Sequence, residues 1–408
     1  MEFRTLDDFE PRGKRVLVRA DLNVPMENGN VTDWLRLERQ AVTLRELAGK
    51  GARVVVMSHF GRPDGMPSPS LSLKPIASAL AKEIGRPVTF VAYSAGPQAE
   101  AAVAAMDDGD ILLLENTRFQ PGEKENNPQL AAQFALLGDF FVNDAFSAAH
   151  RAHASTTGLA EKLPAFAGRA MEEELRHLRI VLNDAQRPLI AVVGGAKVSS
   201  KIALLESMVT KVETLVIAGA MANTFLAAQG FCVGRSRIES NYIETAQMVM
   251  QTAAERGCAI LLPIDVVVAR ELKSEASWRI ACPDEIGPEE MVLDIGPKTV
   301  VAFKVMLSHS KTLIWNGPLG AFETKPFDAG TVAAARAVAE LSRSGRLLSV
   351  AGGGDTVAAL ARAGAEFSYV STAGGAFLEW FEGKDLPGVT ALSKKIASKT
   401  GADLIGRI

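Results

Sequence analysis

Short, uninterrupted apolar runs recur along the whole chain, each followed by a stretch of helical length and amphipathic pattern. Val16–Ala20, Val54–Met57, Ile111–Leu114 and Phe140–Val142 mark strands in the first half. Leu189–Val193, Leu215–Ala218, Ile260–Leu262, Leu313–Trp315 and Leu347–Val350 mark strands in the second. A strand exposed on one face alternates apolar with polar side chains, whereas a strand covered on both faces does not. Continuous runs separated by helices therefore predict doubly wound parallel sheets, an α/β architecture. At 408 residues the chain exceeds the roughly 250–300 residues that a single core supports, so two such domains are expected.

The link between them is legible as "RAMEEELRHLRIVLNDAQRP", residues 169–188. Leu175, Leu178 and Leu182 fall at three- and four-residue spacing, acids gather early, and Pro188 ends the run. This predicts one connecting helix between an N-terminal domain, 1–168, and a C-terminal domain, 189–377. The remaining segment is 378–408.

A net charge of −3 gives no reason to expect nucleic acid or a membrane surface as partner. The longest apolar stretches, such as "AILLPIDVVVA", are broken by Pro263 and Asp265 and fall short of a membrane span. "MEFRTLDDFEPRGKR" has no apolar core of a signal peptide, and three cysteines (Cys232, Cys258, Cys282) lack metal-ligand spacing. The expectation is a cytoplasmic protein.

In open α/β sheets, ligands bind beyond the carboxyl ends of the strands. In the first half these ends lead into Asp21-Leu22-Asn23, Ser58-His59-Phe60-Gly61-Arg62, Glu115-Asn116-Thr117-Arg118 and Asn143-Asp144, then His150-Arg151-Ala152-His153. Arg62, Arg118 and Arg151 thus follow three strand ends, and Arg36 opens the first helix. A single loop arginine is ordinarily just solvated. Four that converge repel one another and need an anion, which the planar guanidinium fork suits well. The three histidines near them, His59, His150 and His153, suit hydrogen bonding or packing there better than metal binding.

The second half uses glycines instead. Gly194-Gly195, Gly352-Gly353-Gly354-Asp355-Thr356 and Gly374-Gly375 adjoin strand candidates and open helix candidates. Such turns let backbone N–H groups and a helix N-terminus face phosphate oxygens. Asp355 beside one of them suits Mg²⁺, which takes one or two carboxylates together with phosphate oxygens. If Val198–Met208 is a helix, Lys197 and Lys201 share a face of its first turns, where their mutual repulsion would favour a phosphate chain. Two solvated surface lysines remain the alternative. Spacing alone does not say which phosphate.

Taken in order, "VRADLNVP", "SHFGRP", "LLLENTRF", "VNDAFSAAHRAHAS", "GGAKVSSKI", "AMANTFL", "LPIDVVVA", "DIGPKT", "WNGPLGAFE", "AGGGDT" and "STAGGAFLEWFEGKDLPGV" resemble the phosphoglycerate kinase family across essentially the whole chain. The resemblance implies two doubly wound domains joined by a helix, with 378–408 returning to the first domain. It also implies reversible phosphoryl transfer from 1,3-bisphosphoglycerate to ADP with Mg²⁺, in glycolysis, gluconeogenesis and carbon fixation, by a monomer.

The family assigns Asp21, Asn23, Arg36, His59, Arg62, Arg118 and Arg151 to the glycerate substrate. Arg36, Lys197, Gly353 and Gly375 act on the transferred group. Lys201, Gly353, Gly354, Asp355 and Thr356 hold nucleotide phosphates, with Asp355 on the metal. Asn316, Pro318 and Glu323 shape the nucleoside site. Ligand sets on different domains imply hinge closure, which excludes water from a reactive acyl phosphate.

Several positions depart from the family pattern: Ser200, Ala218, Ala220, Ala373, Ser147, Ala148 and Glu38. If Ala373 needs positive φ, it would be strained. A different acyl-phosphate kinase would not need the arginine set. A regulatory protein that had lost catalysis would be expected to lack Arg36, Lys197 or Asp355, and all three are present.

Overall fold

A computed structural model of the chain describes residues 3–393, apart from Asp64, Thr372 and the side chains of Leu182 and Asn183. The chain divides into two compact units, one reaching Glu173 and resuming at Leu386, the other running from Glu174 to Asp385. Residues 394–408 of the expected returning segment lie outside the described residues.

The first unit is built on β1 (Arg15–Arg19), which a short hairpin, β2 (Met26–Glu27) and β3 (Asn30–Val31), follows. Then come β4 (Arg53–Met57), β5 (Thr89–Val91), β6 (Ile111–Leu114), β7 (Phe140–Asn143) and β8 (Ala165–Ala167). The sheet order is β5-β6-β4-β1-β7-β8, parallel throughout. Helix Leu35–Gly49 packs Leu37, Ala41, Leu44 and Ala48 into the core shared with Val16, Val18, Val54 and Val56. That three- and four-residue spacing puts one apolar stripe against the sheet, and it fixes where Arg36 emerges at the helix start. The segment resuming at Leu386 is tied to this unit by Gly388 N donating to Ala149 O at 2.9 Å.

The second unit repeats the design with β9 (Leu189–Val193), β10 (Thr214–Ile217) and β11 (Ala259–Leu261). Three further strands, β12 (Val266–Ala269), β13 (Trp278–Ala281) and β14 (Met291–Ile295), form a separate antiparallel sheet in the order β13-β12-β14. The main sheet continues with β15 (Thr312–Asn316), β16 (Leu348–Gly352) and β17 (Tyr369–Ser371), giving β11-β10-β9-β15-β16-β17, again parallel. From β9 the chain winds one way to β11, then restarts beside β9 with β15 and winds the other way. The crevice where the order reverses is where such sheets bind ligands.

Helix Arg169–Asn183 covers the expected connecting stretch, stopping short of Pro188. Its first turn is tied down by side chains: Thr43 Oγ1 accepts from Arg169 N at 2.8 Å and Asp144 Oδ1 from Met171 N at 3.0 Å. Arg169 itself bridges Asp7, Glu46 and Glu172 at 2.6–2.9 Å.

Candidate active site

In the first unit, the ends of β1, β4, β6 and β7 converge through hydrogen bonds. Arg19, the last residue of β1, is fully buried. Its Nε donates to Ser155 Oγ at 2.9 Å, Nη1 to Ala20 O at 2.6 Å, and Nη2 to His59 Nδ1 at 3.1 Å. The Ser155 hydroxyl in turn donates to buried Glu123, whose other oxygen accepts from Ser155 N at 3.0 Å. A guanidinium has only donors, so His59 Nδ1 must accept and the ring proton sits on Nε2. Burial, then the charges of Arg19 and Arg118, hold His59 well below the usual histidine range. It is a neutral donor.

Asn116 ties the loop after β6 to the loop after β4. Its Oδ1 accepts from Phe60 N at 3.1 Å and Arg118 N at 3.0 Å, and its Nδ2 donates to Phe60 O at 2.7 Å. Arg118 Nη1 reaches Gly61 O at 2.7 Å, while Gly61 N donates to Asn23 Oδ1 at 2.9 Å. Arg36 closes the set, donating to Asn23 O at 2.7 Å and lying 3.5 Å from Asp21 Oδ2. Ser147, one of the departures, donates its hydroxyl to that same Asp21 oxygen at 2.7 Å.

Arg62 and Arg151 are exposed, and their fields act on Arg118. Burial, and secondly the charge of Arg19, lower Arg118 to about 10. Positive charge is concentrated here and desolvated, which costs free energy that a bound anion would offset.

Sequence reasoning missed Arg19, Glu123 and Ser155. The signal was present, because an arginine inside the run "VLVRA" is tolerable in a buried strand only with a partner.

In the second unit the chemistry gathers at the β9/β15 switch point. Gly194 N donates to Asn316 O at 2.8 Å, and a Cβ on Gly194 would lie 2.0 Å from Pro318 O. Only glycine permits this approach. Lys201 Nζ turns into the gap, donating to Gly194 O and to Asn316 Oδ1, each at 2.5 Å. Burial pushes its pKa down to about 8, with Asp355 pulling the other way.

The anticipated helix over Val198–Met208 begins later, at Ile202, with Lys201 as its cap residue at φ −133°. Glu239 is the physical reason: it accepts from Ser199 N at 3.0 Å and Ser199 Oγ at 2.6 Å, holding 197–200 as a turn. Lys197 is therefore exposed while Lys201 points inward, rather than the two sharing one helical face.

Beside Lys201, helix Gly354–Ala363 starts after Gly353, which has φ +101° and would bring a Cβ within 2.8 Å of Asn316 Nδ2. Thr356 is buried and its hydroxyl is committed, accepting from Gly317 N at 2.7 Å and donating to Gly352 O at 2.9 Å. What faces outward from this turn is backbone N–H and the exposed Asp355 carboxylate. Helix Gly374–Phe381 opens with Gly374 and Gly375. Its cap, Ala373, has φ −103°, so alanine is unstrained there.

Lys201, Asn316, Gly317, Gly354, Asp355 and Gly374 line a cleft of ≈ 270 Å³. Asp355 also borders a second cleft, ≈ 330 Å³, whose walls include Gly219, Ala220, Leu293, Pro318 and Glu323.

A desolvated cationic cradle on one doubly wound unit and a glycine-lined lysine cradle at the switch point of the other suit an enzyme that moves a phosphoryl group between anions. Comparison with known proteins narrows the class. A sequence model of the family described as phosphoglycerate kinase matches residues 6–384. Phosphoglycerate kinase of Methylorubrum populi is 56% identical over 397 residues, covering 97% of this chain and 99% of its own. That of Rhodospirillum centenum is 57% identical over 394 residues, covering 96% and 100%. The solved phosphoglycerate kinase from Coxiella burnetii superimposes with a TM-score of 0.88 at 41% identity, covering 96% of this chain and 99% of its own. The chain belongs to the phosphoglycerate kinase family, phosphotransferases with a carboxyl group as acceptor.

Proposed function

We propose that this chain catalyses reversible phosphoryl transfer from 1,3-bisphosphoglycerate to ADP, giving 3-phosphoglycerate and ATP, in glycolysis, gluconeogenesis and carbon fixation. One observation carries the mechanism: the half-buried Lys201 ammonium lies at the β9/β15 crevice beside helix N-termini whose first amides have no internal partner.

In the ATP-forming direction, a β-phosphate oxygen of ADP attacks the acyl phosphorus. The bond from phosphorus to the carboxyl oxygen breaks, and a carboxylate leaves. That carboxylate is ionised at pH 7, so no residue need donate or remove a proton. Catalysis reduces to positioning and charge stabilisation.

The first unit holds the glycerate substrate. Arg62, Arg118 and Arg151 take its phosphate with His59 Nε2–H as a neutral donor, while Asp21 and Asn23 engage the hydroxyl and carboxyl end. Arg36, Lys197 and the backbone N–H groups of Gly353 and Gly375 stabilise charge on the group in flight. Lys201, Gly354 and Thr356 hold the nucleotide phosphates, Thr356 through its backbone N–H. Asn316, Pro318 and Glu323 border the nucleoside, with Glu323 on the ribose.

Mg²⁺ fits this arrangement. Among the described residues no group of three metal-ligating side chains occurs, whereas the exposed Asp355 carboxylate borders both clefts. Asp355 would hold the ion jointly with nucleotide phosphates, where it would neutralise phosphate charge.

The proposal also includes closure between substrates held on separate units, which scattering tests as compaction with both bound. Cytoplasmic location and a monomeric state complete it, the latter tested by light scattering. Among the described residues no helix is long and apolar enough to cross a membrane. A coupled assay with 3-phosphoglycerate and MgATP tests the whole. Turnover is expected; tight binding of both ligands without turnover would leave a binding protein instead.

A further inference from the structure

One cation in the ≈ 330 Å³ nucleoside cleft has no task in the scheme above. Arg237 lines that cleft together with Gly219, Ala220, Leu272, Leu293 and Pro318. Its backbone is held from several directions. Arg235 N donates to Glu290 O at 2.7 Å and Val292 N to Ser236 Oγ at 2.9 Å. Asn223 Nδ2 donates to Arg237 O at 3.3 Å, and Glu239 N to Thr224 Oγ1 at 3.1 Å.

The side chain, by contrast, makes no hydrogen bond or ion pair among the described residues, and the residue is exposed. The carboxylates of the 289–290 turn are already engaged: Glu289 with Arg235 at 3.8 Å and Glu290 with Arg279 at 2.6 Å. A fixed Cα carrying an unpartnered donor fork, beside an otherwise mostly apolar wall, is a site prepared for an acceptor on the ligand.

We infer that Arg237 reads the edge of the nucleotide base and biases the site toward 6-oxopurine diphosphates relative to ADP. This rests on assigning the cleft to the nucleoside. A guanidinium donates and never accepts. Guanine and hypoxanthine present two adjacent acceptors, N7 and O6, which match its fork. Adenine presents N7 beside an N6 amine, whose hydrogens face the fork as a second donor. The Arg237 fork therefore favours GDP and IDP relative to ADP, whichever binds more tightly overall.

The test is titration of MgADP, MgGDP and MgIDP into wild type, Arg237→Leu and Lys201→Met. The expected result is that Arg237→Leu weakens MgGDP and MgIDP by about five- to tenfold while MgADP changes less than about twofold. Equal weakening of all three would make Arg237 a general attractor of phosphate charge and overturn base reading. A change for GDP but not IDP would also overturn it, since both share the N7/O6 edge. No change for any of them overturns it as well. Lys201→Met then separates the two failures: if it weakens all three nucleotides the nucleotide site stands, and if it does not, the assignment of the site falls too.

Discussion

Arg19 Nη2 donates to His59 Nδ1 across 3.1 Å, and both side chains are buried. This contact fixes the imidazole tautomer, adds to burial in keeping the ring neutral and aims its remaining N–H away from Arg19. It joins an arginine hidden inside the apolar run "VLVRA" to a histidine displayed at a strand end in "SHFGRP".

The contact makes a pH prediction. The folded-state pKa of His59 lies well below the unfolded value of about 6.5, through burial first and the Arg19 charge second. Below pH 6.5 the unfolded chain binds this proton and the folded chain does not, so stability falls as pH falls. His153, lowered to about 3 mainly by burial, adds in the same direction. Asp144, raised to about 6, and Asp294, raised to about 8, both mainly by burial, act oppositely above the carboxylate range. Comparison with His59→Asn, which retains an acceptor, isolates the histidine. In urea unfolding, wild type should lose stability relative to the variant by about 1.4 kcal/mol per pH unit below pH 6. A constant gap between pH 7.5 and 5 would contradict neutral burial.

Glu123 compensates a guanidinium that has no access to water. Glu123→Gln should cost on the order of 3 kcal/mol, because it removes the carboxylate that most offsets the buried Arg19 charge and leaves only Asp21 to do so. Arg19→Met combined with Glu123→Gln should recover part of that loss. Chemical denaturation would show the recovery, while 3-phosphoglycerate titration should stay weak, since the double variant folds but no longer orients His59.

These residues show where the sequence was legible and where it was not. Continuous strand runs and strand-end arginines located the sheets and most of the cationic cradle, because burial and local charge leave one-dimensional traces. The antiparallel sheet β12–β14 left little trace: "IDVVVA" is as apolar as a parallel strand, and nothing local says which partner it takes. The late start of the helix after Lys201 depends on Glu239, forty residues on, so no helix rule applied to "AKVSSKI" could find it. Arg19 was legible in principle, as a charge where the pattern demands an apolar residue.

Lys201 should titrate near neutrality. Its pKa, pushed down to about 8 by burial, means that the free enzyme loses this positive charge as pH rises through that value. MgADP affinity of wild type should then fall above pH 8, by up to about tenfold per pH unit, as binding becomes coupled to proton uptake. Lys201→Met should bind weakly at every pH without that inflection. Calorimetry across pH 6.5–9.5 measures both, and an inflection that survives in the variant would assign it to another group.

Gly194 is a test of the backbone cradle itself. A Cβ there would lie 2.0 Å from Pro318 O and 2.9 Å from Gly317 O, both backbone atoms that cannot swing aside. Gly194→Ala should destabilise the protein by about 3 kcal/mol and weaken nucleotide binding by prising β9 from β15. Gly354→Ala, with nothing within 4 Å of its added Cβ, is the control that should fold as wild type.

In the proposed division of labour, arginines hold the glycerate and Lys201 the nucleotide, and crossed titration is its sharpest test. 3-Phosphoglycerate and MgADP are each titrated into Arg118→Ala and Lys201→Met. The predicted result is that Arg118→Ala weakens 3-phosphoglycerate at least tenfold and leaves MgADP within twofold, while Lys201→Met does the reverse. If each variant instead weakened the other's ligand, or weakened neither, the assignment of the two cradles would be wrong.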